Sequence, residues 1–165
     1  MGNGLALYDR LRAVGYAHTW AYGRNPMYYN YENIGGDCTN FVSQCLFAGT
    51  QVMNHARNGW YYYDANNKSA SWSGVEFLYE FLVGNSGLGP FAELSSAEDI
   101  LPGDIIQMSF NGQYFQHSLF VVDAGHGAGK KTIQVATHTD DTDHNPLETY
   151  TYEKIRFLHI LGVRL

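Results

Sequence analysis

Apolar residues recur every three to four positions in the first half of the chain and gather into short β-rich blocks in the second. Over residues 5–22, Leu7, Leu11, Val14 and Ala21 share one stripe, which predicts an amphipathic helix. The stretch YGRNPMYYNYENIGG then breaks the pattern with Gly, Asn-Pro and Gly-Gly, leaving a Tyr-rich loop. From Cys38 onward, Phe41, Val42, Cys45 and Leu46 follow the spacing of a buried helical face. Asp37 stands in the N-cap position and Gly49 at a natural stop. Burying Phe41, Val42 or Leu46 fully is worth about 1.5–3 kcal/mol each, so this helix belongs at the centre of the core. A third helix is predicted over SGVEFLYEFL, with Ser73 and Glu76 in capping-box spacing and Val75, Leu78 and Leu82 on one stripe.

Beyond LPGDII the period changes. DIIQMSF and QYFQHSLFVV read as strands joined at Asn111-Gly112, and KTIQVATHT and IRFLHILGV complete the set. Helices first and strands afterwards predict an α+β class, with N-terminal helices packed on an antiparallel sheet. At 165 residues without repeats or low-complexity linkers, the chain reads as a single domain, 1–165.

The chain is 45% hydrophobic and 16% charged, with 18 Gly and 13 Tyr, a globular and loop-rich composition. A net charge of −6 with scattered basic residues argues against nucleic acid as a partner. No apolar run approaches the ~18 residues of a membrane span. No signal peptide is recognised, so a cytoplasmic monomer is expected, or a secreted one if the chain is cut from a longer precursor. Cys38 and Cys45 on one helix would lie ~10.5 Å apart along the axis, beyond the ~7 Å Cα limit of a disulfide, so both are expected as free thiols. Two cysteines seven apart match no zinc pattern. Asp141, Asp143 and Asn145 have the first spacings of a calcium loop, but Pro146 and Tyr152 stand where glycine and a bidentate glutamate belong. Neither a metal nor another cofactor is expected.

Cys38 is the candidate for chemistry. At a helix start it faces unpaired N–H groups and the positive end of the dipole, both of which favour thiolate. Asp37 beside it works the other way. The bland reading is a small buried core residue, which suits Cys45. His117 lies inside an apolar strand. If the chain folds symmetrically between Gly127 and Ala128, Leu119 meets Ala136, Val122 meets Ile133 and His117 meets His138 on the neighbouring strand. A two-residue slip would put Asp140 opposite His117 instead. Either gives a nucleophile, a base and an orienting group. His126 and His159 are expected to be structural.

The blocks GGDCTNFVSQCLFAG, SWSGVEFLYEFL, PGDIIQMSFNGQYFQHS, VATHT and YEKIRFLHILGVRL, in that order, resemble the putative amidase domain family, a branch of the NlpC/P60-like, papain-fold cysteine hydrolases. The resemblance runs from about Tyr8 to Arg164. It implies Cys38 as nucleophile, His117 as general base and His138 (alternatively Asp140) as third polar residue. It also implies amide or peptide hydrolysis through a thioester, with cell-wall peptides as the family-level substrate. Thr39-Asn40 replaces the Ser-Gly usual in cell-wall peptidases. The oxyanion would meet the Cys38 N–H and a donor from the preceding loop. Tyr29, Tyr31, Asp37 and Trp60 form the candidate oxyanion and substrate-binding set, with Tyr29 or Tyr31 the donor by position. Two rival readings remain. One is a non-catalytic glycan- or peptide-binding module with a platform of Trp60, Tyr61, Tyr62, Tyr63 and Trp72; the other is an acyltransferase on the same site.

Overall fold

The computed structural model describes residues 4–125 and 132–165. Its elements are β1 (Leu5–Ala6), α1 (Arg10–Trp20), α2 (Cys38–Thr50), β2 (Tyr62–Asp64), β3 (Asn67–Lys68), α3 (Ala70–Ser73) and α4 (Val75–Gly84), followed by β4 (Gly89–Ser95), β5 (Ile105–Ser109), β6 (His117–Asp123), β7 (Gln134–Thr137), β8 (Thr142–Pro146) and β9 (Lys154–Arg164). This is the expected α+β class. The main sheet is antiparallel in the order β1-β9-β5-β6-β7-β8, and β4 also pairs with β9. No described helix is long and apolar enough to cross a membrane.

The sheet carries apolar side chains on both faces. Phe120, Val122, Ala136 and Leu158 pack with α1, α2 and α4, whereas Met108, Leu119, Val121, Val135 and Phe157 join Leu147 in a second cluster. This follows from strand alternation, which sends neighbouring side chains to opposite faces. α2 is the central helix, with Phe41, Val42, Cys45 and Leu46 fully buried.

Several elements depart from the sequence expectation. α1 begins at Arg10, where Asp9 accepts from the Arg12 amide, and Leu7 and Leu11 point outward at 95% and 88% exposure. The buried stripe is Ala13, Ala17 and Ala21 instead. Small residues win because α1 lies almost against α2. A Cβ on Gly49 would meet Tyr8 Cε2 at 2.4 Å, the Asp9 carbonyl oxygen at 2.6 Å and Ala13 Cβ at 3.0 Å. Gly49 is thus a contact residue within α2, and the helix ends at Gln51 in the left-handed region (φ 57°). The Ser73/Glu76 capping box is also absent. α4 starts after Gly74, and the Glu76 carboxylate accepts from the Phe115 amide and Arg156. β4 and β8 lie outside the segments expected as strands.

Candidate active site

The two glycines before Cys38 have positive φ, 86° at Gly35 and 97° at Gly36, a region that favours glycine. A Cβ on Gly36 would stand 3.3 Å from Thr139 Oγ1, so the loop leading into α2 touches the β7–β8 turn. That turn is itself held in a rare conformation. Thr139 and Asp140 both adopt left-handed backbone angles, φ 64° and 60°, at a cost of roughly 1–2 kcal/mol per non-glycine residue. A glycine loop and a strained turn therefore meet at the start of α2.

Asp37 binds this corner together. It is fully buried, and its carboxylate accepts from the Tyr31 amide (2.8 Å) and the Asn40 side-chain amide (2.9 Å) and meets His138 Nδ1 at 2.5 Å. Arg24 Nε lies 3.5 Å away, while its guanidinium also grips Asp141 and Glu32. Burial alone would raise the Asp37 carboxyl; the bonds from His138, Tyr31 and Asn40 outweigh it and hold it below its ordinary range. Asp37 occupies the N-cap position without a side-chain bond to the helix backbone.

His138 does not face His117. Phe120, not Leu119, stands opposite Ala136, one residue off the symmetric pairing. A one-residue slip turns every side chain to the other face. The turn assumed for that pairing, with His126 in it, lies outside the described residues. Besides Asp37, His138 contacts the Trp20 carbonyl oxygen through Nε2 (2.8 Å), and its ring stacks on Phe41 with centroids 4.1 Å apart. Both ring nitrogens are thus engaged, and His138 is corrected from orienter of His117 to a bolt between α1, α2 and β7.

Cys38 opens α2 with 7% exposure. Its sulfur accepts from the Ser118 amide and lies 3.8 Å from Thr39 Oγ1. Thr39 Oγ1 in turn lies 2.9 Å from Ser118 Oγ, which accepts from Gln107 (3.2 Å). The amide that meets the sulfur belongs to the His117–Ser118 peptide. The thiolate expectation is reversed for this state. Burial pushes the Cys38 thiol up, outweighing the bonds from Ser118 and Thr39, and the Asp37 charge adds to the rise.

His117 opens β6, with its ring beside Phe110 and Tyr150 at centroid distances of 6.1 and 6.4 Å. Ser118 points to α2, so the His117 side chain leaves the strand on the other face, at its end. Among the described residues no hydrogen bond meets either ring nitrogen. Burial lowers its pKa to about 4, with the Asp140 charge pulling the other way. The ring is therefore neutral near pH 7, and Asp140 is the charge that acts on it.

The remaining candidates are spread out. The Tyr31 hydroxyl donates to the Ala65 carbonyl (3.2 Å), and burial pushes its pKa up to about 12. Tyr29 is 44% exposed; its carbonyl oxygen accepts from Asn40, and its ring lies 4.9 Å from that of Tyr31. Trp60 is corrected from substrate binding to core. It is fully buried, donates to Ser43 Oγ (3.0 Å) and stacks on Trp72, also fully buried. The aromatic platform is corrected with it, since Tyr62 is buried too. A cleft of about 450 Å³ lies between Arg57, Ser69, Phe77 and Glu80 and includes neither Cys38 nor His117. Arg24 and Asn40, whose Oδ1 accepts from the Trp72 indole (2.9 Å), are not among the candidates the sequence offers. Asn40 had a signal in the Thr39-Asn40 departure; Arg24 had none.

An antiparallel sheet backed by helices, with a cysteine opening the central helix against the strand that begins at His117, defines an α+β protein. The family model described as "Putative amidase domain" matches residues 7–161. The chain belongs to that family, whose description points to hydrolysis of amide bonds. It is 40% identical over 123 residues to the uncharacterized protein YhbB of Bacillus subtilis (strain 168), a match covering 70% of this chain and 37% of the relative. The match thus spans little more than a third of that relative's length. No solved structure matches.

Proposed function

We propose that the protein is a cysteine-dependent amidase or peptidase of the NlpC/P60-like, papain-fold type, acting through a thioester. The observation that carries this reading is the contact between the Cys38 sulfur and the Ser118 amide, which brings nucleophile and His117 backbone to one point from distant segments. A neutral imidazole and a neutral thiol suit general-base activation. As sulfur attacks the amide carbonyl, His117 takes the thiol proton. The oxyanion meets the Cys38 N–H, one of the donors left unpaired at a helix start. The imidazolium then returns the proton to the leaving amine. Water, deprotonated by His117, attacks the thioester carbon, the acid departs and the proton goes back to sulfur. Asp140 is the orienting charge. The imidazole swings toward the sulfur as substrate enters, since catalytic bonds tighten in the bound complex. Cell-wall peptides are the proposed substrate class.

The test is incubation with muropeptides, glutamine-type amides and capped dipeptides, read by mass spectrometry. Cys38→Ala should abolish turnover while circular dichroism stays native, and His117→Ala should cost at least the ~10²–10⁴-fold of a general base. Turnover by the Cys38 variant at the wild-type rate would refute the proposal. Transfer of the acyl group to an added amine, with no free acid formed, would shift the reading to an acyltransferase.

A further inference from the structure

Away from the thiol, His18 in the last turn of α1 meets Asp143 and His144 on β8. The donor atoms of these three side chains all lie within 4.8 Å of one another. His18 Nδ1 lies 2.8 and 3.0 Å from the two Asp143 carboxylate oxygens, and His144 Nδ1 lies 3.3 Å from the nearer-placed Oδ1. The two imidazoles are stacked, with planes 4° apart and centroids 4.5 Å apart. The Asp143 backbone N–H donates to the Tyr22 hydroxyl (3.1 Å), which fixes the carboxylate's origin on the strand.

An ion pair accounts for half of this arrangement. One protonated His18 beside Asp143 at the end of a helix would be favourable. It gives no role to a second imidazole laid face to face on the first. As neutral rings, both offer a nitrogen lone pair next to one carboxylate. Two imidazoles and a carboxylate are the donor set of borderline metals such as zinc, with water in the remaining positions; hard calcium and magnesium prefer all-oxygen sites, and copper(I) prefers sulfur.

We infer that His18, Asp143 and His144 form a binding site for one divalent ion of the zinc class. Ligands at about 2.0–2.1 Å from a shared ion lie at most ~4.2 Å apart, so the separations need shorten only by about half an ångström, with the stacked rings turning until their lone pairs converge. The side chains of His18 and His144 are 36% and 56% exposed and free to make them. This is not the calcium loop weighed above, because Asn145 turns away to Thr149. A bound ion would clamp α1 to β8, three residues beyond Asp140, and the inference is independent of the hydrolase reading.

The test uses the whole chain stripped with EDTA and titrated with zinc chloride by calorimetry, then with cobalt(II) chloride by visible absorption. One equivalent should bind, and the cobalt spectrum should show d–d bands without thiolate charge transfer. His18→Gln and His144→Gln should each weaken binding ~10-fold or more, as loss of a ligand does at least as much as loss of its support. His55→Gln, exposed elsewhere against Tyr61 and Tyr63, should bind as the wild type does. Absence of saturable one-equivalent uptake, a thiolate band, or unchanged affinity in both ligand variants would overturn the inference.

Discussion

Protonating His117 should unfold the protein by a calculable amount. Its ring is buried at the start of β6 beside Phe110 and Tyr150, with a pKa of about 4 against an ordinary value of 6.5, and desolvation is the main cause. The unfolded chain therefore binds more protons than the folded one between these two values, and stability falls as pH drops through that window. Above pH 6.5 the contribution is fully present. A shift of 2.5 pH units corresponds to about 3.4 kcal/mol in the limit, of which about 2 kcal/mol is gone by pH 5 and about 3 kcal/mol by pH 4. Urea denaturation at pH 7, 6, 5 and 4 measures this directly when His117→Gln is run alongside. The variant lacks the titrating ring but keeps a polar group of similar reach, so carboxylates common to both proteins cancel in the difference. Wild type should lose about 2 kcal/mol more than His117→Gln between pH 7 and pH 5. Parallel pH curves for the two proteins would refute the argument that burial keeps this imidazole neutral.

Removing Asp37 should be among the costliest single changes. Asp37→Ala takes the buried carboxylate from His138 and Arg24 and orphans the Tyr31 amide, so a loss of about 3–5 kcal/mol is expected from thermal or urea unfolding. Gly49→Ala forces its new methyl against the Asp9 carbonyl and Tyr8 and should cost about 1–3 kcal/mol by the same measurement. Trp72→Phe leaves the Asn40 Oδ1 acceptor buried without its donor, at about 1–3 kcal/mol, with no change in substrate KM if Trp72 is core. Brief iodoacetamide treatment near neutral pH should label Cys38 slowly and Cys45 more slowly still, because burial raises both thiols. Peptide mapping reads the order.

What periodicity could carry, the sequence carried. The 3.6-residue repeat of Phe41, Val42, Cys45 and Leu46 marked α2 as the buried helix beginning at Cys38, and alternating blocks marked β5, β6, β7 and β9. The order of those blocks was enough for the α+β class. Helix contacts made by absence of bulk were illegible: Gly49 and Ala13 matter because they let α1 approach α2, and hydrophobicity patterns weight Leu7 and Leu11 instead. The candidate site divided along the same line. Cys38 and His117 could be picked out as chemical types in suggestive positions. The partner of His138 could not, because strand side chains alternate with a period of two and one residue of difference in register exchanges the faces. Only the folded chain decided that His138 would secure Asp37, that Arg24 would reach the same carboxylate from a loop, and that burial would outweigh the helix start at the thiol. Solvation and long-range register depend on what surrounds a residue in space, and a linear pattern records its neighbours along the chain.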